Sequence, residues 1–458
     1  MTRKTPFILA LFALAAVADA KSEAEALSAL RAGDYPRALE TAREVTRLRY
    51  ASPTGHFVAA YALAEMGRRD EAIAEYDRVV DLTPKNAKAW NNRGVLLDAA
   101  GRLEEAEKSY RRAIEAAPKY ASPWNNLGVT LDKLGRPEEA EEAFEEAIDL
   151  DPTYAAPRNN LGALLYERGE KEEAAGHFRR ASELDPKYTL PMANLGLLAS
   201  ERGDAKTAEA TLRDVLRRDP TLAEARFNLG LLLYREKRYE EALAEMEQAL
   251  DARPGDPEIL NNLGVLCHYL GRYRGAITYL EDAVRRKPGF AQAHDNLGLA
   301  HWHTGNLDAA MKCFEKSVEL TPTNAFAHYN LGCVYGDLGF RKRAAVEFRQ
   351  ALDLDATLAP AHHNLGVVLA EEARPDLELA EYEAALRADP DFAEAHRSLG
   401  IFHQSQPGYL DAAKAARHFE AYLRLVPETD DPEGVAEVRE WLVRLGGKPA
   451  TGTARGPK

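Results

Sequence analysis

Asparagine returns at a fixed spacing through most of the chain. Asn92, Asn126, Asn160, Asn194, Asn228, Asn262, Asn296, Asn330 and Asn364 lie 34 residues apart, and Ser398 takes the next place. A primary amide has two N–H donors and an oxygen with two lone pairs, so it can pair with a peptide group at two points. Asn91, Asn125, Asn159 and Asn261 immediately precede four of these residues and double the amide density there. Asparagine is a poor choice inside a helix because its side chain competes for nearby backbone groups. Nine retentions at one spacing therefore need a physical use. Two uses fit the residue type: clamping the backbone of an extended peptide, or bonding to neighbouring elements so that their stacking is fixed.

Other groups capable of chemistry are distributed unevenly. His294, His328, His362 and His396 keep the same spacing late in the chain, joined by His301, His303, His363 and His403. A metal needs its ligand nitrogens about 2 Å away, whereas equivalent positions on packed helices lie about 8–10 Å apart. One ion cannot bridge that series. Trp90 and Trp124 hold the equivalent place earlier, so the histidines read as packing residues, with pH sensitivity as the alternative use. His268, Tyr269, Trp302, His303 and Tyr329 make a later stretch aromatic, suited to anchoring partner side chains or to packing on the next element. Asp98, Asp132, Glu167 and Glu201 make the earlier part acidic.

Phosphate-binding loops, HExxH, GxSxG and paired-cysteine motifs do not occur in the sequence. The acidic run from Glu138 to Glu146 surrounds Ala140 and Phe144, the pattern of a solvated helix face. Cys267, Cys313 and Cys333 are too few for a disulfide framework in 458 residues. Cys267 and Cys333 fall on packing faces, where cysteine acts as a small apolar residue. No catalytic residue, metal or cofactor is expected, and the chain reads as a non-enzyme.

These groups need elements to hold them. Pro84, Pro118, Pro152, Pro186, Pro220, Pro254, Pro288, Pro322 and Pro390 share the 34-residue spacing, with Ala356 in the one gap, and glycines from Gly94 to Gly400 keep the same register. In the copy from Ala87 to Tyr120, Trp90, Gly94, Leu97, Gly101, Ala106, Tyr110, Ala113 and Pro118 follow one another. Gly101 ends a first helix and Pro118 stops a second, since proline has no N–H to donate. Gly94 costs about 1 kcal/mol in mid-helix, which is tolerable if a paired helix packs on its bare backbone. Ala106 and Ala113 are expected to keep that contact close, and the Tyr110 ring to fill space between copies.

The order and period of these residues resemble the tetratricopeptide repeat, with Arg93 departing from its usual leucine. The resemblance implies an all-α, right-handed α-solenoid superhelix of helix–turn–helix copies, with a groove lined by the first helices. The amide run is similar to the asparagine ladder in the repeat superhelix of O-linked N-acetylglucosamine transferases, although no stretch after Pro427 is long enough for a glycosyltransferase domain. A degenerate copy is expected over 21–52, and eleven copies over 53–427, the last with an insertion between Gln404 and Tyr409. A capping helix follows over 428–446, with Val435, Val438, Leu442 and Leu445 on one stripe, and a disordered tail over 447–458. Glu378 stands where earlier copies have alanine. It is expected to turn outward and to loosen the junction over 356–380.

Arg3 and Lys4 precede an apolar run from Phe7 to Val17 and then Ala18, Asp19 and Ala20, the form of a cleavable signal peptide. Cleavage after Ala20 and a periplasmic or secreted location are expected. The formal net charge is -14, which disfavours nucleic acid or an anionic membrane surface as partner. A protein or peptide segment fits better, held in the groove by a scaffold that assembles or localises an envelope complex. A self-assembling structural solenoid without a peptide ligand is the alternative.

Overall fold

The computed structural model describes residues 22–48 and 51–446. The signal peptide expected over 1–20 and the tail expected over 447–458 lie outside them. The described residues form helices joined by short turns and contain no strand. None of those helices is long and apolar enough to cross a membrane.

One copy shows why the sequence folds this way. Asn86 caps the helix Ala87–Ala99 by accepting from the Ala89 N–H, and the chain then reverses at Gly101, whose φ is +74°. The second helix, Leu103–Ala116, opens with Glu104 and Glu105 in its first turn, where carboxylates favour the positive end of the helix dipole. Ala106, Tyr110 and Ala113 form its buried stripe. The pattern repeats from Pro53–Glu65 with Arg69–Leu82 through to Ala393–Ser405 with Ala412–Leu425.

The glycine contact differs in detail from expectation. A Cβ on Gly94 would lie 2.5 Å from the Tyr110 ring, and the same notch is filled by Phe144 at Gly128, Phe178 at Gly162, Phe314 at Gly298 and Phe348 at Gly332. The ring thus seats on the glycine of its own copy, and does not merely fill space between copies. The turn glycine is replaced twice. Lys237 (φ 59°) and Ala373 (φ 52°) occupy the left-handed position that glycine holds in the other regular turns.

The chain divides into two units, 1–232 and 233–458. In the first, Leu97, Tyr110, Leu127, Phe144, Leu161 and Phe178 run through one continuous core. The helical residues 22–31 and the helix Tyr35–Leu48 close its start, with Ala26, Ala38 and Ala42 packed among Val58, Ala59 and Leu63. In the second, Phe314, Leu331, Tyr335, Phe348 and Leu365 make the equivalent core. Its last helix, Pro432–Arg444, lays Val435, Val438 and Leu442 against Phe419 and Tyr422. Glu378 does not turn outward. It is buried in the helix Pro375–Ala388, and burial raises its carboxyl above the usual range.

Candidate functional site

The amides sit at positions 5 and 6 of the first helices, counting Ala87 as position 1, and they bond chiefly to one another. In the first unit, Asn126 donates to Asn91 Oδ1 at 3.0 Å, Asn160 to Asn125 Oδ1 at 2.9 Å, and Asn194 to Asn159 Oδ1 at 3.1 Å. Within each copy the position-5 amide donates back to position 6, from Asn91 to Asn92, Asn125 to Asn126 and Asn159 to Asn160, at 3.3–3.4 Å. The result is an unbroken chain of amides from Asn92 to Asn194. Asn92 anchors its start by donating to the Tyr76 hydroxyl at 3.1 Å.

Beyond that chain the rungs vary. Asn228 is buried and reaches the Ala193 carbonyl at 3.5 Å. In the second unit, Asn262 turns back to the Glu258 carbonyl of its own helix, while Asn296 restores the rung by donating to Asn261 Oδ1 at 2.9 Å. Asn364 lies 3.5 Å from the Tyr329 hydroxyl and 3.4 Å from Cys333 Sγ, and His363 Nε2 lies 2.9 Å from Ser398 Oγ. Tyr329 and His363 therefore fill the position-5 role in place of asparagine. Asn330 is half-buried.

This geometry corrects one expectation about exposure. Asn91, Asn125, Asn159 and Asn261 are only 3–6% exposed, so they act between copies and do not widen an open amide surface. The position-6 amides Asn92, Asn126, Asn160, Asn194, Asn262, Asn296 and Asn364 remain half-buried. The acidic stretch is also partly compensated. Asp98 accepts from Thr130 and pairs with Lys133, and Glu201 pairs with Lys171.

The aromatic residues separate into two groups, both in the second unit. Tyr239 stacks on Tyr269 at 5.0 Å, and Tyr234 meets Tyr269 edge-on. His268 stands edge-on to His303 at 4.8 Å, and His303 stacks on Tyr273 at 4.7 Å. Burial and the neighbouring His303 lower the His268 pKa. Tyr239 and Tyr273 escaped the sequence reading; each opens a second helix, and only the turn register could have shown that they meet position 13 of the first helix. The second group lines a cavity of about 490 Å³ in which Trp302, Tyr329 and Asn364, from three successive copies, come together with Asp337 and Glu371. Trp302 Nε1 donates to Asp337 Oδ2 at 2.7 Å.

The late histidines do more than pack. Nε2 of His294, His328, His362 and His396 lies 3.0–3.3 Å from the carbonyl oxygen six residues earlier, in the turn entering the copy. Trp90 Nε1 makes the same bond to Pro84. Arg226 Nε makes it to Pro220 as well, so in these copies position 4 supplies an N–H donor that ties the first helix to its preceding turn, whereas Trp124 Nε1 makes no such bond. Among the described residues, no group of three or more histidine, cysteine, aspartate or glutamate side chains could hold a metal ion.

The family profile of the cilia and flagella-associated protein 70 C-terminal domain matches residues 10–258. Two tetratricopeptide-repeat profiles match residues 269–325 and 329–393, and 313–342. No curated protein matches the chain. Among solved structures, YrrB, described as a TPR protein with an unusual peptide-binding site, is 27% identical over 41% of this chain and 97% of its own, with a TM-score of 0.37. The Cut9–Hcn1 hetero-tetramer of the APC/C is similar over 95% of this chain and 98% of the matched one, at 14% identity and a TM-score of 0.47. MamA is 22% identical over 38% of this chain and 94% of its own, with a TM-score of 0.34.

Proposed function

We propose, from the premise that this chain belongs to the tetratricopeptide-repeat family, that it is a non-catalytic scaffold whose first helices hold an extended segment of a partner protein. The observation that carries this reading is the cavity where Trp302, Tyr329 and Asn364 meet. Two rings and an amide from three copies suit one anchoring side chain together with the backbone beside it. Glu371 at its edge is balanced by Arg341, which leaves Asp337 and a formal charge of -14 to favour a basic or neutral segment.

The amide ladder has capacity for both of its uses. Asn126 donates once and accepts once within the ladder, and a primary amide can donate twice and accept twice. Stacking therefore leaves one donor and one acceptor for a threaded backbone. Export completes the proposal: with residues 1–20 removed, the scaffold works in the periplasm or outside the cell, assembling or localising an envelope complex.

The test compares capture of envelope proteins by the full chain with capture by Trp302→Ala and by Asn126→Ala. Trp302→Ala should lose the partner, with a modest fall in melting temperature because the ring also packs on the core and bonds to Asp337. Asn126→Ala should lower both binding and melting temperature, because it removes a rung as well as a contact. Equal capture by all three proteins would overturn the proposal. The mass of the exported protein checks the location separately, with Lys21 expected as its first residue.

A further inference from the structure

Three copies share a contact that the last copy lacks. Nδ1 of His56, His328 and His362 meets a glutamate of the second helix: Glu75 at 2.6 Å, Glu347 at 2.7 Å and Glu381 at 2.6 Å. Each glutamate directly precedes the aromatic core residue of that helix, Tyr76, Phe348 or Tyr382. In the last copy that core residue is Phe419, seated on Gly400. The residue before it is His418. The carboxylate is gone, and His396 Nδ1 lies 3.0 Å from His418 Nδ1 instead.

The surroundings are rich in basic groups. His396 Nε2 faces the Pro390 carbonyl at 3.0 Å, and His403 Nδ1 faces the Tyr409 carbonyl at 3.0 Å. A carbonyl only accepts, so each of these nitrogens carries the hydrogen. The His403 ring lies parallel to that of His418, with 6.2 Å between centroids. Lys414, Arg417 and Arg424 share with the three rings a cavity of about 370 Å³. Nearby Arg397 and Arg439 pair with Glu437 and Glu428, whereas among the described residues those three cations form no ion pair. Among the described residues Glu383, from the preceding copy, is the one acid lining the cavity, and Asp411, close enough to act on Lys414 and His403, already accepts the Ala413 and Lys414 N–H groups.

We propose that this cavity binds an oxyanion, a carboxylate or phosphate group, which takes the place of the glutamate that three other copies supply to their histidine. The ligand oxygens accept from Lys414 and Arg417, neither of which is in an ion pair among the described residues, and from the second N–H that the His418 ring gains when it is protonated. The cavity disfavours further positive charge: burial, and then His396, His403, Lys414 and Arg417, hold His418 down to about 4. A bound anion reverses that field and favours the protonated ring. Binding therefore takes up protons and tightens as pH falls. The cavity uses position 4 and the second helix, away from the amide ladder, so the proposal stands independently of the groove.

The experiment titrates the full chain with inorganic phosphate, and in a second arm with acetate, following heat and the histidine ring resonances. Phosphate should raise the His418 pKa, by about one unit for each tenfold preference for the protonated ring, and should bind more tightly at about pH 6 than at about pH 8. Lys414→Ala and Arg417→Ala, both at exposed positions, should each weaken binding about tenfold with the melting temperature unchanged. His418→Glu rebuilds the pair seen at His362 and Glu381, and should abolish binding while raising the melting temperature. Acetate acting as well as phosphate identifies a carboxylate ligand, and phosphate acting alone identifies a phosphate. Equal phosphate binding by His418→Glu, or His418 resonances unmoved by either anion, would overturn the proposal.

Discussion

Glu378 holds a carboxyl group where the equivalent second-helix positions of other copies hold alanine, and it is 9% exposed. Burial raises its folded-state pKa above the unfolded value, so the folded chain retains a proton that the unfolded chain has released. Stability from this group is present at acid pH and falls as pH rises through the carboxyl range. Glu378→Gln should therefore stabilise the protein at neutral pH and leave it unchanged at acid pH. Denaturant unfolding at both pH values checks this, and an equal effect at both would remove burial as the cause. The sequence showed that Glu378 was anomalous but not which way it turned. Its orientation depends on the neighbouring copy, whose position no single helix encodes. The same limit hid the roles of Asn91 and Asn126. Adjacent residues on a helix point about 100° apart, and which of the two meets the preceding copy is set by how the copies tilt together.

At the scale of the helix pair the sequence was far more legible, because glycine and proline act through backbone rules that hold wherever they stand. The notch and the stop were both readable from spacing; the ring inside the notch was not, since spacing does not reveal side-chain direction. Two mid-helix glycines separate the contributions. Gly94 would place a Cβ against Tyr110, whereas a Cβ on Gly176 meets nothing within 4 Å. Gly176→Ala should stabilise by about 1 kcal/mol through helix propensity. Gly94→Ala should destabilise by about 1–3 kcal/mol through overpacking. Thermal unfolding of the two variants checks both signs. Ala373 offers a third case, since a non-glycine residue in the left-handed region costs about 1–2 kcal/mol. Ala373→Gly should recover about 1 kcal/mol of that cost, and hydrogen exchange across 356–380 should slow in the same variant. Exchange that is already uniform with the rest of the chain would show that this junction is not loose.

Across the whole molecule, the 34-residue period gave the fold class directly, since a helix pair that cannot bury its own apolar face must stack on another. The three-residue insertion in the last copy concealed the exchange of glutamate for His418, because it shifts the second helix out of the common numbering. The direction of the amide rungs was equally invisible in the sequence. Every amide-to-amide rung between copies donates the same way, from position 6 of the later copy to position 5 of the earlier one. Hydrogen bonds aligned head to tail polarise one another, so this surface has a grain, like cut timber. Peptide bonds also have a sense of direction, and a backbone laid along the grain meets a different pattern when turned end for end. A bound segment synthesised in reverse order should thus lose its hold even with its composition intact.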